Sequence, residues 1–166
     1  MYVHWTVFAI AALILANAIH RPVVALVGLV CYIGMLFIHE RGHVIAAHKR
    51  GSEVFSVKLY PIFGLTQFEN PWSRFDHCVI AWGGVLAQMV VALPLVAWVA
   101  VFGYTRFEAI NAVFAVLGFF SLGIVVFNLL PFGPLDGATA WGIIPAAIRR
   151  ARTNSNPRRS NWRSGR

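Results

Sequence analysis

The sequence contains a possible metal-binding motif, the pattern H-E-x-x-H formed by His39, Glu40 and His43. They lie near the end of an apolar run, residues 22–47, that predicts a membrane helix. Four residues advance a helix by about one turn, so both imidazoles project from one face and can bind one metal ion. Zinc suits this pair, and Glu40 can take a proton from a water molecule that the ion activates.

The alternative interpretation is that these residues only cap a helix at the membrane surface, with Arg41 reaching the lipid headgroups. We favour a metal site because ionisable side chains in an apolar run are costly and usually mark a functional site. For Arg41 itself we retain the interfacial interpretation.

A tetrahedral catalytic zinc needs a third protein ligand. The other acidic residues are Glu53, Glu69, Asp76, Glu108 and Asp136. Asp136 follows an apolar stretch, residues 109–130, in a segment whose prolines and glycines end the helix and can turn a carboxylate inwards. This stretch and residues 22–47 cross in the same direction, so Asp136 and the histidines share one face and Glu108 lies on the other. We predict Asp136 as the third ligand; a turn-forming Asp before Gly137 is the alternative.

Composition and hydropathy indicate which secondary-structure elements carry these residues. The chain has 166 residues, of which 58% are hydrophobic and 12% charged, as in an integral membrane protein. Four apolar stretches occur, at residues 3–19, 22–47, 78–102 and 109–130. We therefore predict an all-α membrane protein with about four transmembrane helices. The one long loop contains partly alternating residues around Pro61 and Gly64, a pattern that favours a short hairpin within residues 54–68.

Basic residues predict the orientation, because they collect on the cytoplasmic side of a membrane. Residues 149–166 contain seven arginines and no acidic residue. We expect a membrane-embedded domain, residues 1–148, and a basic, disordered cytoplasmic tail, residues 149–166, that is attracted to the lipid bilayer and not to nucleic acid. Counting crossings backwards places the hairpin-like loop and the metal site towards the cytoplasmic side as well.

Two separated motifs resemble the site-2 protease family of intramembrane zinc metalloproteases. The first is H-E-x-G-H at residues 39–43, followed by Ala47 and Gly51. The second is N-x-x-P-x-x-P-L-D-G from Asn128 to Gly137. A weaker likeness is the segment of residues 83–88, which ends in Gln88 where the family often has Asn.

The resemblance implies a three-helix catalytic core preceded by one extra helix. It also implies one zinc ion held by His39, His43 and Asp136, with Glu40 as the base. Asn128 would position or stabilise the reacting peptide, unless it is a buried interhelical hydrogen-bonding residue. Two departures are the charged Arg41 in place of an apolar residue and the lack of a PDZ-like insertion, so we expect no substrate selection by such a module.

The implied function is hydrolysis of peptide bonds in the membrane segments of single-span proteins, in a bacterial inner membrane and near its cytoplasmic side. The alternatives are a catalytically silent relative that binds membrane proteins and a metal carrier. Retention of Glu40 counts against the first, and clustering of the ionisable groups at one end counts against the second. Residues 54–68 either bind substrate as an added strand or lie on the bilayer. Gly83, Gly84 and Gln88 either open a polar water path or allow close helix packing.

Overall fold

The computed structural model describes residues 2–3, 5–16, 18, 20–59, 64–68 and 73–154. Three helical stretches in this part of the chain are long and apolar enough to cross a membrane: Pro22–Lys49, Arg74–Phe102 and Glu108–Asn128. The first predicted span appears as a shorter helix, α1 (Trp5–Ala16), of 12 residues. A span needs about 20 residues, so the fourth crossing stays a prediction.

The two longest helices begin and end where their terminal residues dictate. Helix α2 (Pro22–Lys49) starts with Pro22, whose fixed φ and missing N–H suit the first turn. Helix α3 (Arg74–Phe102) starts after Ser73, whose Oγ accepts a hydrogen bond from the backbone N–H of Asp76 at 3.2 Å. Gly51 and Gly103 follow the two C-terminal ends with φ of 71° and 75°, values that favour glycine and stop each helix.

The third long stretch is continuous but irregular. It consists of α4 (Glu108–Val113), a π-helical segment (Phe114–Phe120) and α5 (Ser121–Asn128). The wider turns of a π-helix shift the backbone carbonyls relative to those of an α-helix, and they occur frequently at functional sites. Here the segment ends directly before Ser121, whose carbonyl bonds a side chain of α3.

The loop between α2 and α3 contributes two strands to a three-stranded sheet, and the N-terminal residues contribute the third. Strand β1 (Tyr2–Val3) pairs in parallel with β2 (Val54–Leu59), which pairs in antiparallel fashion with β3 (Gly64–Phe68). An irregularity between Val54 and Ser56 shifts the register of the second pair. Residues 60–63, which join β2 to β3 and include Pro61, lie outside the described residues.

The core lies between the long helices, and large apolar side chains cover the outside. Tyr32, Met35 and Leu36 of α2 pack with Ile124 of α5 and Val7 of α1. Many other hydrophobic residues of the three long stretches are exposed, among them Leu26, Val30, Phe37, Val90, Val101 and Val126. An outer apolar surface of this extent suits lipid rather than water as its surroundings.

The chain continues after α5 through a loop into two short helices, α6 (Gly137–Ala140) and α7 (Ile143–Asn154). We expected a disordered tail to begin at residue 149, but residues 149–154 are helical and belong to α7. The helix continues past Ile148 because it packs against α3 and its amphipathic pattern extends beyond that residue. Residues 155–166 lie outside the described residues.

Helices α2 and α3 touch through their backbones. A Cβ added at Gly83 would lie 2.6 Å from the carbonyl oxygen of Gly42 and 2.7 Å from Cβ of Ala46. A Cβ at Gly42 would in turn overlap the Gly83 carbonyl oxygen. Of the two interpretations of Gly83, the structure therefore shows close helix packing, which small residues permit in membrane proteins.

We expect Gly83→Ala to destabilise the fold by about 1–3 kcal/mol, because the added methyl group would force α2 and α3 apart. Gly34→Ala is the matched control, since a Cβ at Gly34 has no other atom within 4 Å. Alanine is the better helix former, so the control should be neutral or stabilising by up to about 1 kcal/mol. Equal melting temperatures of the two variants in detergent would contradict the close contact.

Candidate metal centre

The structure brings His39, His43 and Asp136 together. The histidines lie one turn apart on α2, and Asp136 precedes α6. The two histidine Nε2 atoms are 3.1 Å apart. His39 Nε2 lies 3.1 Å from Asp136 Oδ2, and His43 Nε2 lies 3.3 Å from Asp136 Oδ1. Both histidines are buried, with 4% and 6% of their surface exposed.

These distances fit a tetrahedral metal ion. With Zn–N and Zn–O bonds of about 2.0–2.2 Å, neighbouring ligand atoms of a tetrahedron lie about 3.3–3.5 Å apart. The two Nε2 atoms are 3.1 Å apart, and each lies 3.1–3.3 Å from a different oxygen of the Asp136 carboxylate, so the separations are already close to this size. Two imidazoles and one carboxylate also form a ligand set that zinc enzymes use.

Hydrogen bonds from α3 orient both imidazoles. His43 Nδ1 lies 2.8 Å from the carbonyl oxygen of Ile80, and His39 Nδ1 lies 3.0 Å from Oε1 of Gln88. A carbonyl oxygen can only accept, so Nδ1 of His43 is the donor. Gln88 Nε2 donates to the carbonyl of Ser121 at 3.4 Å, which leaves Oε1 to accept from His39. Each ring therefore presents the lone pair of Nε2 to the centre.

The convergence of acceptors explains why the site suits a cation. With both Nδ1 atoms directed at acceptors on α3, the two Nε2 atoms and the Asp136 carboxylate are the groups left to bind one cation. Burial raises the pKa of Asp136, but its contacts with His39 and His43 outweigh burial and hold the pKa at about 2. The carboxylate is thus ionised at neutral pH, as a metal ligand must be.

Two glycines shape the walls of the centre. A Cβ on Gly84 would lie 2.7 Å from Cε1 of His43, so only glycine leaves room for this ring. A Cβ on Gly137 would overlap the backbone carbonyl of Leu129. The chain can therefore fold back on itself directly after Asp136, which brings the carboxylate to the histidines.

Two tryptophans hold the segment that carries Asp136. Trp141 Nε1 donates to the carbonyl of Leu129 at 2.7 Å, which closes the loop before α6. Trp82 Nε1 of α3 donates to the carbonyl of Ala140 at 3.0 Å. Trp141 has this hydrogen bond within the fold although about half of its surface is exposed.

Glu40 and Asn128, the two predicted catalytic residues, are both buried. Glu40 is 2% exposed and follows His39 on α2. Asn128 is 1% exposed at the end of α5, and neither its Oδ1 nor its Nδ2 has a hydrogen-bond partner among the described residues. A buried amide without a partner costs roughly 1–3 kcal/mol. The interhelical hydrogen bond that was the alternative for Asn128 is thus not formed in the described part of the chain.

The other acidic candidates lie elsewhere. Glu108 pairs with Arg21 at 3.2 Å, at the opposite end of the long helices. Asp76 pairs with Arg50 at 3.4 Å, and Glu53 is exposed. Glu69 lies outside the described residues.

Sequence reasoning missed the hydrogen-bonding role of Gln88 and of the Ile80 carbonyl. Gln88 was singled out only for a motif likeness and a water path. A usable signal was present, because Gln88 is a fully buried polar residue within the apolar α3. Its partner, however, is 49 positions away in the chain.

Comparison with known proteins found one curated protein and one solved structure that are similar to this chain. No protein-family model matches the chain. The chain is 32% identical over 105 residues to a protein of Synechocystis sp. (strain ATCC 27184 / PCC 6803 / Kazusa) whose name designates it, provisionally, a zinc metalloprotease. The match covers 60% of this chain and 26% of that protein, so the chain spans about a quarter of the length of this relative.

A solved structure has the same fold. The site-2 protease from Methanocaldococcus jannaschii superposes with a TM-score of 0.67 at 20% identity, over 87% of this chain and 66% of that one. This chain shares the fold of that structure and also has the cluster of possible metal ligands. The two matches support the site-2 protease family, so the resemblance carried by the motifs is confirmed.

We expect Gln88→Met to weaken zinc binding about 10- to 100-fold, because it removes the acceptor that orients His39 while nearly conserving volume. Ser121→Ala is the matched control, since Gln88 bonds the backbone carbonyl of Ser121 and not its hydroxyl. Zinc affinity is measured by competition with a chromogenic chelator in detergent. Unchanged affinity in Gln88→Met would show that the hydrogen bond does not orient His39.

Proposed function

We propose that this protein is a zinc-dependent endopeptidase that hydrolyses peptide bonds within the membrane segments of other membrane proteins. The observation that carries the proposal is the buried convergence of His39, His43 and Asp136 beside Glu40, at the end of helices apolar enough to span a bilayer. A buried carboxylate next to a metal-binding histidine pair suits hydrolysis better than simple metal storage.

Each side chain has a defined task in this proposal. His39, His43 and Asp136 hold one zinc ion per chain, which when bound supplies a Lewis acid that polarises the scissile carbonyl and a water molecule. Glu40 accepts a proton as the water oxygen bonds to the carbonyl carbon. Glu40 then gives that proton to the amide nitrogen as the C–N bond breaks, so the products are a carboxylic acid and an amine.

Asn128 is suited to bind the reacting peptide. Its amide is buried and lacks a hydrogen-bond partner among the described residues, although it can both donate and accept. A donor held in a water-poor site stabilises the negative charge that develops on a carbonyl oxygen. We therefore assign Asn128 a role in holding the scissile carbonyl, in agreement with the resemblance.

The substrate must present an extended backbone, because a helix uses its carbonyls in its own hydrogen bonds. Strand β3 is at the edge of the three-stranded order β1-β2-β3, so its outer edge can accept an added strand. We propose that the unwound segment of a single-span membrane protein pairs with β3 before cleavage.

We further propose that the centre lies towards the cytoplasmic side of a bacterial inner membrane. Arg50 at the end of α2 and Arg150 of α7 both pair with Asp76 at the start of α3, so these basic residues lie at the same end of the bundle. This end also carries the histidines. Basic residues at one membrane border favour the cytoplasmic side.

Glu40→Gln should retain about one zinc per chain and lose cleavage by about 10²- to 10⁴-fold, because glutamine cannot accept the proton. Zinc content and cleavage of a panel of single-span substrates are measured in liposomes. Glu53→Gln is the control, since Glu53 is exposed and away from the cluster. Cleavage by Glu40→Gln at the wild-type rate, or folded wild type without zinc, would refute the proposal.

Asn128→Leu should slow cleavage by about 10²- to 10³-fold without lowering thermal stability. The change removes the proposed carbonyl donor, while replacing a buried, unpartnered amide by an apolar group of similar shape is neutral or stabilising. Asn111→Leu is the contrasting control, because Asn111 Nδ2 donates to the carbonyl of Thr105 at 2.9 Å and should lose stability instead. Destabilisation by Asn128→Leu, with normal cleavage, would assign Asn128 a structural role.

A further inference from the structure

A cavity separate from the metal centre lies at the same end of the bundle. It has a volume of about 810 Å³ and opens between the start of α3 and helices α6 and α7. None of the proposed zinc ligands lines it. Its wall combines basic and apolar side chains, among them Arg74, Phe75, Pro145, Ala146, Arg149 and Arg150.

Positive charge dominates this cavity. Among the described residues, arginines line it together with one carboxylate, that of Asp76. That carboxylate is shared: its Oδ1 lies 3.4 Å from Nη1 of Arg50 and 3.7 Å from Nη1 of Arg150, and Ser73 Oγ donates to its Oδ2 at 2.6 Å. Arg50 and Arg150 therefore share one negative charge, and Arg74 lines the same cavity. The cavity therefore favours a further anion.

The Phe75 ring of the cavity wall contacts the guanidinium groups of Arg150, which lines the cavity, and of Arg50 at the end of α2. Cζ of Arg50 lies 5.4 Å from the centroid of the Phe75 ring, and Cζ of Arg150 lies 5.1 Å from it. Stacking on a ring reduces the freedom of an arginine side chain and leaves its N–H edges available for hydrogen bonds. Planar guanidinium groups pair with phosphate oxygens through two parallel hydrogen bonds, which suits a phosphate better than a chloride.

The position of the cavity matches the depth of lipid headgroups. Helix α3 starts at Arg74 and continues as an apolar span. Helix α7 exposes Ile144 and Ile148, at 64% and 49%, and carries Arg149 and Arg150 in its following turn. Exposed apolar residues beside arginines on a short helix are typical of a helix that lies in the membrane interface.

We propose that this cavity binds the phosphate headgroup of an anionic phospholipid. The arginines contact the phosphate, and Phe75, Pro145 and Ala146 contact the glycerol and the first methylene groups of the acyl chains. Ala138 and Thr139 also line the cavity, so the lipid contacts α6 directly after Asp136–Gly137. The proposal does not depend on protease activity.

The test is retention of phosphatidylglycerol by purified protein, measured by native mass spectrometry and as a melting-temperature rise in nanodiscs against phosphatidylcholine. The double variant Arg149→Gln, Arg150→Gln should bind phosphatidylglycerol roughly 30-fold more weakly, at about a fivefold factor for each arginine contact to the phosphate that is lost. The charge-matched control is Arg158→Gln, Arg159→Gln, in the basic segment beyond the described residues, for which we expect less than about a threefold change because long-range attraction is screened by salt.

A second variant separates lipid binding from folding. Ala146→Phe fills the cavity without changing any charge, and it should also weaken phosphatidylglycerol binding while melting normally in phosphatidylcholine. Equal losses in the two arginine pairs would mean non-specific attraction and overturn the proposal. So would full binding by Ala146→Phe, or a phosphatidylcholine sample stabilised by inorganic phosphate as strongly as by phosphatidylglycerol, which would assign the site to free phosphate.

Discussion

The backbone contact between α2 and α3 at Gly42 and Gly83 is the constraint on which the metal centre depends. In a membrane, helices gain little from the hydrophobic effect and associate through close packing and hydrogen bonds. Because no side chain separates the two backbones here, the Ile80 carbonyl and Gln88 come within hydrogen-bond distance of the two imidazoles. The spacing of the helices thus decides how the imidazoles point.

The centre balances the cost of burying polar groups with a few specific contacts. His39 and His43 have outer partners on α3 and face Asp136 on the inside, so each polar atom of these rings has a contact. Asn128 departs from this pattern, since its buried amide has no partner among the described residues. Local costs of this kind concentrate at functional positions, where a substrate or ligand supplies the missing contact.

The segment after α5 connects the metal centre to the arginine-lined cavity. Asp136 ends the loop, α6 lies against Trp82 of α3, and α7 brings Arg150 to Asp76. The ion pairs of Arg50 and Arg150 with one carboxylate join the end of α2, the start of α3 and α7. A change in the position of α7 at the membrane would therefore be expected to shift α6, which begins directly after Asp136.

The long apolar helices, the histidine pair on one helical face and the placement of Asp136 on the same side could all be predicted from the amino-acid sequence. These features depend on local periodicity, on helix-ending residues and on the direction in which successive spans cross. The packing of the helices was needed to show that Gly83 allows close contact with α2, that Gly84 leaves room for His43, that Gln88 orients His39, and that α7 continues past residue 148. Each of these depends on the distance between elements far apart in the chain, and neither composition nor spacing encodes that distance.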